Sequence, residues 1–201
     1  VPAGQEGVGN NAARKSRVAK AQLFMRDRKA FMMEMFYAIC RVQYQARKLK
    51  LTPCFRLNGA TDIAWEGVKT HADVSIFELF PEVQFVDYTK NVRRALAHAY
   101  ARNLWPQRDA WPANYHLTFS RSETNWADCV RVLQAGGNVA VVFAGKMPAT
   151  YGGRPVVSGD HHDLRHLDPK ASTQTHGQGV IIGLSPKGLP AKRDQSGFVV
   201  R

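Results

Sequence analysis

Asn58, Asp87 and Lys90 each stand directly after a short β-rich run, where no local capping role accounts for them. In parallel α/β proteins the side chains that bind and react gather just beyond the C-terminal ends of strands. Read by that rule, the first run (Cys54 to Leu57) delivers Asn58, Asp62 and Glu66, and the second (Val83 to Tyr88) delivers Asp87, Tyr88, Thr89 and Lys90. The third (Tyr115 to Phe119) is followed by Ser120, Ser122 and Glu123, and the fourth (Asn138 to Phe143) by Lys146. One shared pocket is the expectation. In it Asp87, Lys90 and Glu123 are the catalytic candidates: Asp87 or Glu123 as general acid or base, Lys90 as the group that binds or stabilises an anion. Asn58, Asp62, Glu66, Tyr88, Ser120 and Ser122 would bind the substrate. A plainer reading competes for part of this set. Ser120 and Glu123 have the spacing of a capping box, and Asp62 can cap a helix.

The densest group of ionisable residues runs from Gly159 to Pro169, with His161, His162 and His166 among Asp160, Asp163 and Asp168. Asp160, His161 and Asp163 are candidate ligands for Zn²⁺, Mn²⁺ or Fe²⁺, which take nitrogen and oxygen donors. Adjacent histidines in a strand point to opposite faces, so only some can converge. A surface loop in which Asp163 or Asp168 caps a helix is the simpler account.

Several motifs are excluded. Ala144-Gly145-Lys146-Met147 is not a P-loop, because the upstream glycine is missing and Met follows the Lys. No GxGxxG, GxSxG or HExxH pattern occurs. Trp65, Trp105, Trp111 and Trp126 are not interleaved with basic residues as a stacking platform would be, which makes them core or pocket wall.

The elements that must carry these residues alternate. After a polar, glycine-rich start at residues 1–10, Asn10 or Asn11 can cap a basic helix, and Asp27 the next. There Phe31, Met32, Met35, Phe36, Ile39 and Val42 recur at helical steps and form a core stripe. From residue 53 strand-like and helical segments alternate: helical turns at Ile63 to Val68 and Val74 to Phe80, a helix at Asn91 to Arg102, and another from Ser120 to Gln134 that ends at Gly136-Gly137. Gly179 to Leu184 and Phe198 to Val200 add two further strands. The apolar run Asn138 to Phe143 suits the interior of a parallel sheet covered on both faces. The fold class expected is α/β: a partial (β/α) barrel or an open parallel sheet with a basic helical N-terminal extension. Residues 1–52 form the basic helical segment packing on the body, and 53–201 the α/β domain, as one structural unit.

Charge supplies the second clue. The 201 residues carry 28 Lys and Arg against 16 Asp and Glu, a formal net charge of +12. Residues 1–50 alone hold 11 basic and 3 acidic side chains. Arg14, Lys15, Arg17, Lys20, Arg26, Arg28 and Lys29 therefore make a candidate polyanion surface, with DNA or RNA as the partner. A solvated basic helix that binds nothing is the alternative. No apolar run approaches the ~20 residues of a membrane span, and the first apolar stretches are broken by Arg and Lys, unlike a signal segment. Cys40, Cys54 and Cys129 form no CxxC pair and read as reduced thiols of a cytoplasmic protein. The chain starts at Val1, consistent with a removed initiator or a processed piece.

Taken together, the motifs resemble the phage and plasmid family called gene product 88. The resemblance is carried by Arg56-Leu57-Asn58-Gly59-Ala60-Thr61-Asp62-Ile63-Ala64-Trp65-Glu66, by Phe80 to Phe85 with Asp87-Tyr88-Thr89-Lys90, and by Asn114 to Glu123. Asn138 to Phe143, Gly159 to Arg165 and Gly188 to Val199 continue it. It runs from about Arg14 to the C-terminus. The resemblance implies a protein of a mobile element, acting in the cytoplasm of a bacterial host. Members of that family carry a cysteine cluster ahead of the basic helix, similar to the iron–sulfur site of radical S-adenosylmethionine enzymes, which use a partial (β/α)6 barrel. An iron–sulfur cluster and S-adenosylmethionine are implied here only if a longer native chain supplies the cysteines. Two functions follow as expectations: an enzyme acting on a small or nucleotide-like substrate, or a sequence-independent nucleic-acid-binding accessory protein. A third, an assembly protein docking through the Met-rich helix, requires that face to be exposed.

Overall fold

A computed structural model describes residues 8–59, 61–70, 72–103, 111–171 and 175–201. The chain divides into two compact units, Val1–Pro53 with Gly67–Phe80 and Cys54–Glu66 with Pro81–Arg201.

The first unit is helical. α1 (Val8–Arg26) begins ahead of Asn10 and Asn11, so neither asparagine is its cap. α2 (Arg28–Lys48) begins where the sequence signals it: the Asp27 carboxylate accepts the Ala30 N–H at 2.9 Å. Arg47 and Lys48 lie in its last turn, where the helix dipole favours cations. Met32 and Ile39 of the apolar stripe are buried, whereas Val42 is exposed. α3 (Ile76–Leu79) is one turn with a complete capping box between Ser75 and Glu78.

The second unit is built on one open, mostly parallel sheet. Its strands are β1 (Cys54–Phe55), β2 (Gln84–Thr89), β3 (Tyr115–Ser120), β4 (Val139–Phe143), β5 (Thr150–Tyr151), β6 (Arg154–Ser158), β7 (Ile181–Leu184) and β8 (Val199–Val200). The order across the sheet is β1-β2-β3-β4-β7-β6-β5, and among the described strands only the β5–β6 pair is antiparallel. The first four strands are thus laid down in chain order. α4 (Val92–Asn103) connects β2 to β3, and α5 (Trp126–Gln134) connects β3 to β4. The two helices pack on one another and bury Ala95, Cys129, Val132 and Leu133 against Phe119, Val139, Val141, Phe143 and Ile181.

Strand alternation assigns the faces. On β2 and β3 the odd-numbered side chains from Phe85 to Phe119 belong to the helix side, and the even-numbered ones, including Tyr88, His116, Thr118 and Ser120, to the other. A helical turn at Arg165–Leu167 packs on β2 and β3, and the wholly buried Arg165 bears electrostatically on Tyr88 and His116 of that second face.

Two details differ from the sequence expectation, and the expected last strand takes an edge that its own residues do not announce. α5 starts at Trp126, not Ser120, because β3 runs on through Ser120 and Asn125 takes over the turn. Its side chain accepts the Ser122 N–H at 2.7 Å and donates to the Ser120 carbonyl at 3.1 Å. β5 and β6 are additional strands, joined by Gly152-Gly153 with φ of 56° and 74°. Positive φ at both central residues defines the tight hairpin turn whose twist suits the flanking strands. β8 pairs with Val142 and Phe143 of β4 on the edge that β3 vacates after reaching Val139 and Ala140. The Arg121 guanidinium holds it there by donating to the carbonyls of Gly197 and Phe198 at 2.8 and 2.9 Å. The expected ending of α5 is observed, with Gly136 at φ 84°.

Candidate functional site

The polar residues after the strands divide between the two faces of the sheet, and one buried cation organises those on the helix side. Arg94, 7% exposed on α4, donates through Nε to Glu66 Oε1 at 2.7 Å and through Nη2 to Glu66 Oε2 at 2.8 Å. Its Nη1 donates to Asp62, and Nη2 also reaches the Tyr115 hydroxyl at 3.2 Å. That hydroxyl donates to Asp87 Oδ2 at 3.0 Å, and Asp87 Oδ1 accepts the Asn58 N–H at 2.7 Å. Asn58 closes its own loop: Oδ1 accepts from Thr61, from the Ile63 N–H and from the Trp65 indole, while Nδ2 donates to the Ile63 carbonyl. Asp62 also accepts the Thr89 hydroxyl and the Lys90 N–H, both at 2.9 Å.

Asn58, Asp62, Glu66 and Asp87 are therefore brought together, with their hydrogen-bonding atoms occupied by protein. Desolvation pushes the Asp87 carboxyl up to about 6, against the Asn58 and Tyr115 hydrogen bonds and the Arg56 and Arg94 charges that pull it down. Burial works against the Arg94 charge, but the hydrogen bonds to Glu66 and the charges of Glu66 and Asp62 outweigh it and hold the pKa above its ordinary value.

On the other face a cleft of about 330 Å³ opens at the C-terminal ends of the strands. Tyr88 from β2, Ser120 from β3, Ala140 and Val142 from β4 and Leu184 from β7 form its floor. Arg56, Lys187, Ser185, Asp163 and Phe198 reach it from the loops that follow β1, β7 and β6 and from the entry to β8. The Arg56 guanidinium lies over the Tyr88 ring, 4.7 Å from its centroid. The Lys90 ammonium sits 5.3 Å from the Phe198 centroid. Burial pushes the Tyr88 phenol up, opposed by Arg165 and Arg56. Two cations, two rings, two serine hydroxyls and a carboxylate around a concave surface suit a small anionic ligand with an unsaturated part.

The structure thus places Tyr88 and Ser120 in the cleft, Lys90 beside one of its walls, and Asp87 on the opposite face. Glu123 is exposed and accepts the Ser196 hydroxyl at 3.2 Å, while Ser122 is held by its N–H to Asn125. Asp160 accepts the Ser185 N–H with both oxygens at 3.1 Å, and His161 and Asp163 are exposed. Among the described residues no three His, Cys, Asp or Glu side chains stand where they could hold a metal ion. Asp168 is a buried partner of Arg165 at 3.4 Å. Arg56, Lys187 and Arg94 are absent from the candidate set. Lys187 follows an expected strand, so extending the strand-end rule to every cation finds it. Arg56 lies inside the expected run Cys54 to Leu57 and stands beyond the strand only because β1 ends at Phe55. Arg94 leaves no comparable mark, being one of two adjacent arginines on a helix.

Cys54 and Cys129 belong to no group of three potential metal ligands among the described residues, so neither is placed to hold an iron–sulfur cluster. Cys129 is enclosed between α5 and the sheet, its thiol pushed up to about 11 by burial. Cys54 lies on β1 with its thiol likewise pushed up by burial. Trp65 is buried, Trp111 and Trp126 are half-buried, and Trp105 lies outside the described residues. On α1 and at the start of α2, all seven predicted basic side chains are exposed. Among the described residues no helix is long and apolar enough to cross a membrane.

Fold and cleft define an open, mostly parallel α/β protein with a polar cleft at the C-terminal ends of its strands. The chain belongs to the gene product 88 family, whose sequence profile matches residues 3–201. No match is found among curated proteins or among solved structures.

Proposed function

We propose that this family member is an enzyme built on an open parallel sheet, encoded by a phage or plasmid, that acts in the bacterial cytoplasm on a small, anionic, nucleotide-like substrate. One observation carries the reading: the cleft at the strand ends, lined by Arg56, Lys187, Tyr88, Ser120, Asp163 and Phe198. Arg56 and Lys187 bind the anionic end of the substrate, and the Tyr88 and Phe198 rings flank its unsaturated part. Asp163, exposed at the rim, is the proton acceptor of this set. Asp87 and its Arg94 network hold the loop from Asn58 to Glu66 in place behind the reacting groups. Lys90 adds positive charge at the Phe198 wall.

Calorimetric titration of a nucleoside monophosphate and diphosphate series tests this reading. Binding that weakens about tenfold or more in Arg56→Ala and in Lys187→Ala is expected, as for loss of one charge-assisted hydrogen bond. Equal affinity of the wild type and both variants refutes the site.

A second reading, binding to nucleic acid, is favoured by one specific observation: α1 contains no carboxylate, and Arg14, Lys15, Arg17 and Lys20 along it are all exposed. If six phosphates are neutralised, duplex affinity falls with a log–log salt slope of about −5. Fluorescence anisotropy with a labelled duplex between 50 and 200 mM salt reads it, and a flat response refutes it.

A further inference from the structure

A second cleft, of about 290 Å³, lies at the opposite ends of the strands. It exists because β3 starts earlier than β4: pairing between them begins at Phe119 and Val139, so among the described residues β4 does not pair with the earlier part of β3. His98 of α4 fills part of the gap. Its Nε2 accepts the Leu117 N–H at 3.4 Å, standing in for a strand carbonyl. That bond requires a lone pair on Nε2, so the imidazole is neutral with its proton on Nδ1.

His116 stands beside it, the ring centroids 4.8 Å apart and the planes at 84°. His116 is 7% exposed, lines the cleft, and among the described residues neither ring nitrogen has a hydrogen-bond partner. A buried polar group without a partner is costly and calls for an occupant that satisfies it. The rest of the lining indicates its charge: Arg102 and Lys170 contribute cations, and among the described residues no carboxylate lines the cleft. Arg102 uses Nη1 on the Ala113 carbonyl at 3.4 Å and presents further N–H groups. Trp111, packed edge-on to His98 at 5.4 Å and stacked on Tyr115 at 5.5 Å, forms an apolar wall.

We infer that this cleft is a second binding site, for a phosphate group held between Arg102, Lys170 and the His116 imidazole. It is separate from the cleft of the proposed activity and does not depend on that reading. The site is coupled to protons. Burial, then the charges of Arg102, His166, Lys170 and Arg165, push the His116 pKa down to about 3, with neutral His98 at its side. A bound oxyanion reverses the local field and raises that pKa, so by linkage affinity rises as the pH falls.

Imidazole ¹H–¹⁵N spectra of the full chain, titrated with inorganic sulfate from pH 5 to 8, test the site with a probe whose own charge is constant over that range. Saturable shifts of His116, tighter binding at pH 5.5 than at 7.5, and weakening by about tenfold or more in Arg102→Gln and in Lys170→Gln are expected. The Arg56→Ala variant binds sulfate at His116 as the wild type does, which separates this site from the other cleft. Repeating the titration with inorganic phosphate and with ribose 5-phosphate at one pH identifies the source: tighter binding of the ester assigns the site to an organic phosphate, equal binding to the free ion. A His116 resonance that sulfate, phosphate and the ester all leave unmoved overturns the proposal. So does unchanged sulfate affinity at His116 in both cleft variants.

Discussion

Replacing Asp87 by Asn makes the protein more stable at high pH, and the gain disappears on acidification. The Asp87 carboxyl is 0% exposed and titrates at about 6 in the folded chain against 3.8 as a free side chain. Because the folded value is the higher one, the stability contribution of this group is complete below about 3.8 and is lost as the pH rises through about 6. The gap corresponds to about 3 kcal/mol at about 1.36 kcal/mol per pH unit. Asparagine carries no charge to desolvate. Its Oδ1 can still accept the Asn58 N–H, but its amide now faces a Tyr115 hydroxyl that must turn its proton elsewhere, at about 1 kcal/mol. The difference in unfolding free energy, variant minus wild type, therefore climbs by about 2–3 kcal/mol between pH 4 and 8. Urea unfolding at unit pH steps reads this directly, and taking the difference cancels the histidines, which titrate alike in both proteins. A flat difference curve refutes the argument that desolvation dominates. A falling one means that Arg94 and Arg56 stabilise the carboxylate more than burial penalises it.

Removing the cation at the centre of that network has the larger effect: Arg94→Met leaves Glu66 and Asp62 without their partner and lowers stability by about 3–5 kcal/mol, read by urea unfolding at pH 7. His116 works in the opposite sense to Asp87. Its folded pKa of about 3 lies below the free value of 6.5, so its contribution is present above 6.5 and lost as the pH falls toward 3. His116→Phe flattens that loss, worth up to about 5 kcal/mol over the interval, and an acid limb identical to wild type counts against a buried neutral imidazole. Gly136→Ala places a side chain at φ 84°, where its Cβ meets the Asn103 amide at 2.7 Å. A cost of about 1–2 kcal/mol is expected from the left-handed backbone alone, and an unchanged melting temperature would contradict the turn.

Much of this architecture is written in local patterns. The cap at Asp27, the strands of residues 84–89, 115–120 and 139–143, and the glycine that stops α5 each depend on a few neighbouring residues, and each is found where the pattern puts it. What escapes local reading depends on partners distant in the chain. β8 falls within the expected run Phe198 to Val200, but its place beside β4 exists because β3 leaves that edge free, a fact about residues 119–120 and 139–143 rather than about Val199 and Val200. The β5–β6 hairpin did have a local signal, Gly152-Gly153 between short β-prone runs, but Pro155 inside the second run argues against a strand. Position explains the tolerance. Pro155 lies opposite Thr150 on the short antiparallel ribbon at the end of the sheet, and the parallel ladder to β7 starts at Val156.

The candidate site shows a sharper limit. The strand-end rule selects a level along the sheet axis and is silent about which face a residue takes; alternation separates the two. Asp87 and Tyr88 are neighbours at the same level, yet Asp87 goes to the helix side and Tyr88 to the cleft. Where one face of a strand is polar, the sequence reveals the parity. On β2 it does not, because Phe85, Val86, Asp87 and Thr89 are all buried, so both faces present apolar and polar residues to protein. The parity is fixed by Arg94, a helical residue that draws Glu66 and Asp62 directly and Asp87 through the Tyr115 hydroxyl to its own side of the sheet. Carboxylates that look catalytic by position are thereby used to neutralise one buried guanidinium. The face left open takes its character from Arg56 and Lys187, which no buried carboxylate claims among the described residues. Arg94 committed to structural pairs on the helix side, with Arg56 and Lys187 at the cleft in no ion pair among the described residues, is the distribution that an anion-binding cleft requires.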